Sequence, residues 1–153
     1  MTEKAIMRAV FDTNVIIAAL KSRNLNSPTA ELLRRWRVGE FTILYSDDLL
    51  LEYREKFVSL NIDPTLRIAF LADLDVRGEY VALTPDQVQP LIAEDPDDDI
   101  VIACAIVGKA THLVTYDPHL LNLGKTYKGI TILDGLHFLY AARGDAPSVE
   151  RET

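Results

Sequence analysis

The sequence is short of cysteine and of long apolar stretches, and each shortage excludes a class of protein. Its 153 residues contain a single cysteine, Cys104, which excludes an internal disulfide framework and a cysteine-rich zinc site. No apolar run approaches the roughly 18 residues of a transmembrane helix. The N-terminal residues 1–7 lack the apolar segment of a secretory signal. We therefore expect a protein of the reducing cytoplasm that does not bind a membrane.

Basic residues are also scarce relative to acidic ones. The chain has 16 Lys and Arg against 23 Asp and Glu, and its net charge is −7. This balance is unusual for a nucleic-acid binder, which ordinarily presents a basic face. A metal pocket built from four carboxylates would, however, account for more than half of this excess. The net charge therefore does not exclude an enzyme that acts on nucleic acid.

Linkers, repeats and low-complexity tracts are absent as well. The composition, 48% hydrophobic and 25% charged, is that of an ordinary globular protein. A chain of this length fits one domain. We predict a single domain over residues 1–142, followed by a polar, flexible tail over residues 143–153.

Short β-like runs alternate with helical stretches along the chain. The strands are predicted at residues 8–11, 41–45, 81–83, 112–115 and 130–133. The helices are predicted to begin near residues 15, 28, 47, 64, 96, 118 and 135, several behind a Ser or Asp N-cap. This alternation predicts an α/β fold with a central, mainly parallel sheet of four to five strands and helices on both faces, a three-layer α/β/α arrangement.

Acidic residues stand where several predicted strands end. Asp12 directly follows the first strand, and Asp117 follows the fourth. Glu52 lies on the helix that begins after the second strand, four residues beyond Asp48. Because open parallel sheets bind ligands at the carboxyl ends of their strands, we expect these acids to meet in one pocket.

A further acidic run opens the helix that begins at Pro96. Asp95, Asp98 and Asp99 have the i, i+3, i+4 spacing of one helix face. Two carboxylates 4 Å apart repel by about 4 kcal/mol at an effective dielectric constant near 20. A cluster of them therefore calls for a cation, and oxygen ligands suit Mg²⁺ or Mn²⁺, which can activate water against a phosphodiester. Each acid taken singly fits equally well as a helix cap.

Four segments together resemble the PIN domain, a family of metal-dependent ribonucleases that includes VapC-like toxin components of toxin–antitoxin systems. The resemblance covers about residues 7–140, and Met7 resembles the usual start of the family. Its motifs are MRAVFDTNV at 7–15, SDDLLLEY at 46–53, DPDDDIVIACA at 95–105 and LVTYDPHLL at 113–121. Each motif alone is weak, but four in this order are a strong signal.

The resemblance implies a catalytic and metal-binding quartet, together with further residues around it. The quartet is Asp12, Glu52, Asp98 and Asp117. Asp99 is a further candidate ligand, and Asn14 and Thr115 would support the acids. The family also implies a PIN-like fold, an RNA substrate, an antitoxin partner and a homodimer.

Two basic residues are candidates for holding RNA. Lys21 and Arg23 follow the first helix, close to the edge expected to hold Asp12. A nuclease with an acidic site needs cations at its rim to hold the phosphate backbone. Charged side chains at such positions are nevertheless often only solvated.

Two alternative functions stay open at this point. A phosphatase of the haloacid-dehalogenase type also places an Asp after its first strand, but it needs a second Asp two residues later, where this chain has Asn14. A non-catalytic metal- or RNA-binding module would use the acids for binding alone. The leading interpretation is a Mg²⁺- or Mn²⁺-dependent endoribonuclease that acts as the toxin of a toxin–antitoxin pair.

Overall fold

A computed structural model of the chain describes residues 6–90 and 96–145. The described residues form one sheet, covered by helices. The strands are β1 (Arg8–Phe11), β2 (Thr42–Tyr45), β3 (Glu79–Tyr80), β4 (His112–Val114), β5 (Thr126–Tyr127) and β6 (Ile130–Leu133). The helices are α1 (Thr13–Lys21), α2 (Pro28–Arg37), α3 (Asp47–Ser59), α4 (Pro64–Arg77), α5 (Pro96–Val107), α6 (Pro118–Leu121) and α7 (Gly135–Arg143).

The strand order in the sheet is β3-β2-β1-β4-β6-β5. Every pairing is parallel except that of β5 with β6, so the predicted α/β architecture with a mainly parallel sheet is confirmed. The chain moves outward from β1 to β2 and β3 and then crosses to β4 on the other side of β1. Because right-handed crossovers in opposite directions place helices on opposite faces, both faces are covered. The reversal makes the gap between β1 and β4 the switch point where such sheets bind ligands.

The edges of the sheet differ from the prediction by one additional strand and one shifted strand. The described residues contain six strands rather than four to five. The third strand is Glu79–Tyr80 and not residues 81–83, and β5 was not predicted. Both are two-residue edge strands, too short to carry an alternating apolar pattern, and only their partners in the sheet define them.

The helix starts follow the local capping chemistry that the sequence indicates. The side chains of Ser27, Ser46 and Asp134 accept hydrogen bonds from the first turns of α2, α3 and α7. Pro28 and Pro64 stand at the first helical position, where proline costs no hydrogen bond.

The core joins the sheet to its helices through large aromatic side chains. Phe11 stacks on Phe41, and both make edge-to-face contacts with Phe138 of α7. A second cluster, formed by Trp36, Tyr53, Phe57 and Phe70, joins α2, α3 and α4. All of these rings are buried. The first cluster packs around Phe11, the last residue of β1, and Asp12 follows it directly.

Several predicted features lie outside the described residues. Asp95, the start at Met1 and most of the predicted tail over residues 143–153 are among them. The single-domain boundary at residue 142 stays a prediction, and α7 continues to Arg143. Within residues 6–90 and 96–145, no helix combines the length and apolar character needed to cross a membrane.

Candidate metal centre

An acidic pocket of about 300 Å³ lies at the carboxyl ends of β1 and β4. It is lined by side chains from four separated segments of the chain. The lining residues are Asp12, Thr13, Asn14, Ile17, Glu52, Lys56, Leu60, Asp97, Asp98 and Asp117. All four acids of the predicted quartet are therefore present at one place, at the switch point of the sheet.

Asp12 is fixed by its position at the junction of β1 and α1. Its backbone N–H donates to the carbonyl of Val114, which extends the ladder between β1 and β4 (2.9 Å). One carboxylate oxygen, Oδ1, accepts from the N–H of Thr13 (2.8 Å) and so caps α1. The side chain is buried yet lines the pocket. Strand end and helix cap together aim this carboxylate into the pocket.

Thr115 joins the first and fourth acids of the quartet. Its hydroxyl donates to Oδ2 of Asp12 (2.7 Å) and accepts from the backbone N–H of Asp117 (2.9 Å). The Thr115 side chain is fully buried. Because β1 and β4 are paired through Phe11 and Val114, Asp12 and Thr115 are the next residues across the ladder. The sheet register therefore sets this contact.

Glu52 comes to the pocket from α3. The neighbouring Tyr53 is fully buried, and its hydroxyl donates to the carbonyl of Phe11, the last residue of β1. Burial raises the pKa of Tyr53 well above its ordinary value, with smaller electrostatic contributions from Cys104, Asp12 and Glu52, so the phenol keeps its proton. This bond holds α3 against the end of β1 and brings Glu52 to the pocket that Asp12 lines.

Asp98 and Asp99 are buried at the start of α5 and face different cavities. Asp98 lines the acidic pocket. Asp99 lines a second cavity of about 270 Å³, with Gln87, Gln89 and Lys128 among its neighbours. Successive helical residues diverge by about 100°, which agrees with Asp98 and Asp99 lining different cavities. Asp99 as a metal ligand stays a prediction.

Asp48 lines a different cavity from Glu52, although a spacing of four residues places two side chains on one helix face. Asp48 is exposed and lines a different cavity with Asp47, Ser46 and Leu83. Asp48 and Glu52 therefore line different cavities despite their four-residue spacing.

The supporting and basic residues lie at different distances from the pocket. Asn14 lines it, is exposed, and accepts a long hydrogen bond from the N–H of Tyr116 (3.4 Å) through Oδ1. Lys21 and Arg23 are exposed at and beyond the end of α1 and are not among the lining residues. Their contact with RNA stays a prediction. Lys56, one turn beyond Glu52 on α3, lines the pocket instead.

His119 lies beside two acids of the pocket and is not among the site residues that the sequence predicted. Its Nδ1 lies 3.5 Å from Oδ1 of Asp117 and 3.9 Å from Oδ2 of Asp98. These three side chains offer ligand atoms that all lie within 4.8 Å of one another. The signal in the sequence was the spacing of two residues from Asp117, but the proximity to Asp98 depends on the packing of α5 near α6.

Comparison with known proteins gives the family. The family model of the PIN domain matches residues 8–119 of this chain. The chain belongs to the PIN domain family. The match includes all four acids of the pocket, and no curated protein matches the chain. Membership in this family disfavours the haloacid-dehalogenase alternative.

Two solved structures share the fold of this PIN domain. PAE2754 from Pyrobaculum aerophilum is 17% identical, with a TM-score of 0.60 over 92% of this chain and 91% of that chain. VapBC2 from Rickettsia felis, solved bound to a DNA fragment from its promoter, is 15% identical. Its TM-score is 0.56 over 84% of this chain and 98% of that one. At these identities the likeness concerns the fold alone.

Proposed function

We propose that this PIN domain is a divalent-metal-dependent endoribonuclease that hydrolyses RNA phosphodiester bonds. The observation that carries the proposal is the convergence of Asp12, Glu52, Asp98 and Asp117 on one pocket at the switch point of the sheet. PIN domains are generally nucleases, which agrees with this chemistry.

The residues present fit a hard divalent cation such as Mg²⁺ or Mn²⁺. The quartet offers oxygen atoms, and two of its members, Asp12 and Asp98, are buried. Buried carboxylates that share a pocket repel one another unless positive charge lies among them. The hydroxyl of Thr13 is also buried in the pocket lining and makes no hydrogen bond to any described residue. It is a further oxygen for the ion or its hydration shell.

The chain itself would hold and orient the reacting groups. Asp12, Glu52, Asp98 and Asp117 would hold the ion, with Thr115 keeping Asp12 and the backbone of Asp117 in place. When bound, a divalent cation neutralises phosphate charge and lowers the pKa of a coordinated water. Cationic side chains would hold the RNA backbone outside the acidic centre. We assign this role to Lys56 at the pocket and to Lys21 and Arg23 further out.

We further propose that the protein is the toxin of a toxin–antitoxin pair. The support is the fold shared with VapBC2 from Rickettsia felis, an assembly solved on its promoter DNA. An antitoxin protein is the partner that follows, acting in the cytoplasm. A homodimer is expected from the family and stays a prediction.

The test is cleavage of labelled total RNA in Mn²⁺, in Mg²⁺ and in EDTA, by the wild-type protein and by Asp98→Asn. Asp48→Asn is the matched control, because it removes the same charge from an exposed residue in a different cavity. We expect metal-dependent cutting that falls by about 100-fold or more in Asp98→Asn and persists in the control. Intact RNA in every lane, from folded protein whose melting temperature rises with Mn²⁺, would instead favour the non-catalytic binding module.

A further inference from the structure

A histidine ring stands beside two of the four acids of the pocket. The Nδ1 of His119 lies 3.5 Å from Oδ1 of Asp117 and 3.9 Å from Oδ2 of Asp98. A good N–H···O bond spans about 2.7–3.2 Å. The ring is therefore close to both carboxylates but too far from either for a well-formed hydrogen bond.

These separations fit three atoms that share one ion. Two ligand atoms each about 2.1 Å from a cation are about 3 Å apart at a right angle and about 4.2 Å apart when they lie opposite each other. Both measured distances fall inside this range. The three ligand atoms lie within 4.8 Å of one another, which a single coordination sphere can span with small side-chain adjustments.

The backbone holds the histidine in this place. Asp117 caps α6, and its Oδ1 accepts from the N–H of His119 itself (2.9 Å). Thr115 in turn accepts from the N–H of Asp117. The backbone of His119 is therefore linked through two hydrogen bonds to Thr115, the residue that also holds Asp12. About half of the ring is exposed, so an ion can reach it without any unfolding.

We propose that His119 is a nitrogen ligand of the ion held by Asp98 and Asp117, and that it makes the site select Mn²⁺ over Mg²⁺. The inference rests on the proposed function, because it concerns the same ion. Mg²⁺ prefers oxygen ligands and keeps its waters, whereas first-row transition ions accept imidazole nitrogen readily. One nitrogen among carboxylates therefore strengthens Mn²⁺ binding and adds little for Mg²⁺.

The first measurement is the affinity for each metal alone, in the wild-type protein, in His119→Ala and in His137→Ala. His137 is the matched control, because its ring contacts Asp134, which is not one of the acids that line the pocket. We expect His119→Ala to weaken Mn²⁺ binding by about tenfold or more and Mg²⁺ binding by less than about twofold. The control should match the wild type for both metals. Equal losses for the two metals, or no loss, would overturn the proposal.

The second measurement reports the ligand directly and does not depend on activity. Pulsed electron paramagnetic resonance of the Mn²⁺-loaded protein should show coupling to a histidine nitrogen, absent in His119→Ala and kept in His137→Ala. Mn²⁺ bound at the pocket without nitrogen coupling would overturn the role of His119 and leave the proposed nuclease standing. Failure of the wild-type protein to bind either metal would overturn both.

Discussion

The hydroxyl of Thr115 offers the sharpest test of how the pocket is held together. Thr115→Val keeps the shape of the side chain and removes two hydrogen bonds, the one to Asp12 and the one from the N–H of Asp117. A hydrogen bond to a carboxylate contributes about 1.5–3 kcal/mol, and a neutral one about 1 kcal/mol. The sum is a loss of about 2.5–4 kcal/mol. For a chain of this length that lowers the melting temperature by about 5–16 °C.

The same change should weaken metal binding. Groups that orient metal ligands are worth about 10–100-fold in affinity when removed. Thermal unfolding followed by circular dichroism, with and without Mn²⁺, measures both effects. Thr115→Ser keeps the hydroxyl and should retain the metal affinity. Thr131→Val on β6 is the control, because the Thr131 hydroxyl makes no hydrogen bond to any described residue. A Thr115→Val protein within about 2 °C of the wild type, with unchanged Mn²⁺ affinity, would refute this account.

Three further expectations follow from other parts of the molecule. Asp98→Asn should abolish the rise in melting temperature with Mn²⁺, whereas Asp99→Asn should keep it, because Asp99 lines a different cavity; equal loss in both would contradict this. Hydrogen bonds lower the pKa of Glu31 from 4.5 to about 2, and the bond from Arg143 makes the largest contribution. That stabilisation is present above pH 4.5 and is lost as the pH falls towards 2. Glu31→Gln should therefore cost about 1–2 kcal/mol at neutral pH and much less near pH 2 in denaturant titrations, with partial solvent screening taken into account. Burial raises the pKa of Cys104 to about 12, so iodoacetamide at pH 8 should label it only after unfolding; rapid labelling of the folded protein would show that the helix opens.

Helix caps and apolar runs in the sequence predicted most of the helices and strands of the fold. Ser27-Pro28 and Ser46 begin helices where expected, and the apolar runs of β1, β2, β4 and β6 form parallel strands. These signals are local: a cap or an apolar run acts over a few residues of its own segment. The position of Asp12 directly after a buried strand likewise placed it at the ligand-binding edge of the sheet.

The sequence by itself determined the α/β class, the family and the four acids that line the pocket. These features depend on strand ends and helix starts, which the local order of residues determines. Only the tertiary structure decided which neighbouring acids share a cavity. Asp98 and Asp99 are adjacent in the chain, yet the packing of α5 turns them to different cavities. It also decided that Thr115 bridges Asp12 and Asp117 and that His119 lies near Asp98, since both contacts depend on the pairing of β4 with β1 and on how α5 and α6 meet. Such contacts join residues that are far apart in sequence, and no local pattern encodes the distance between them.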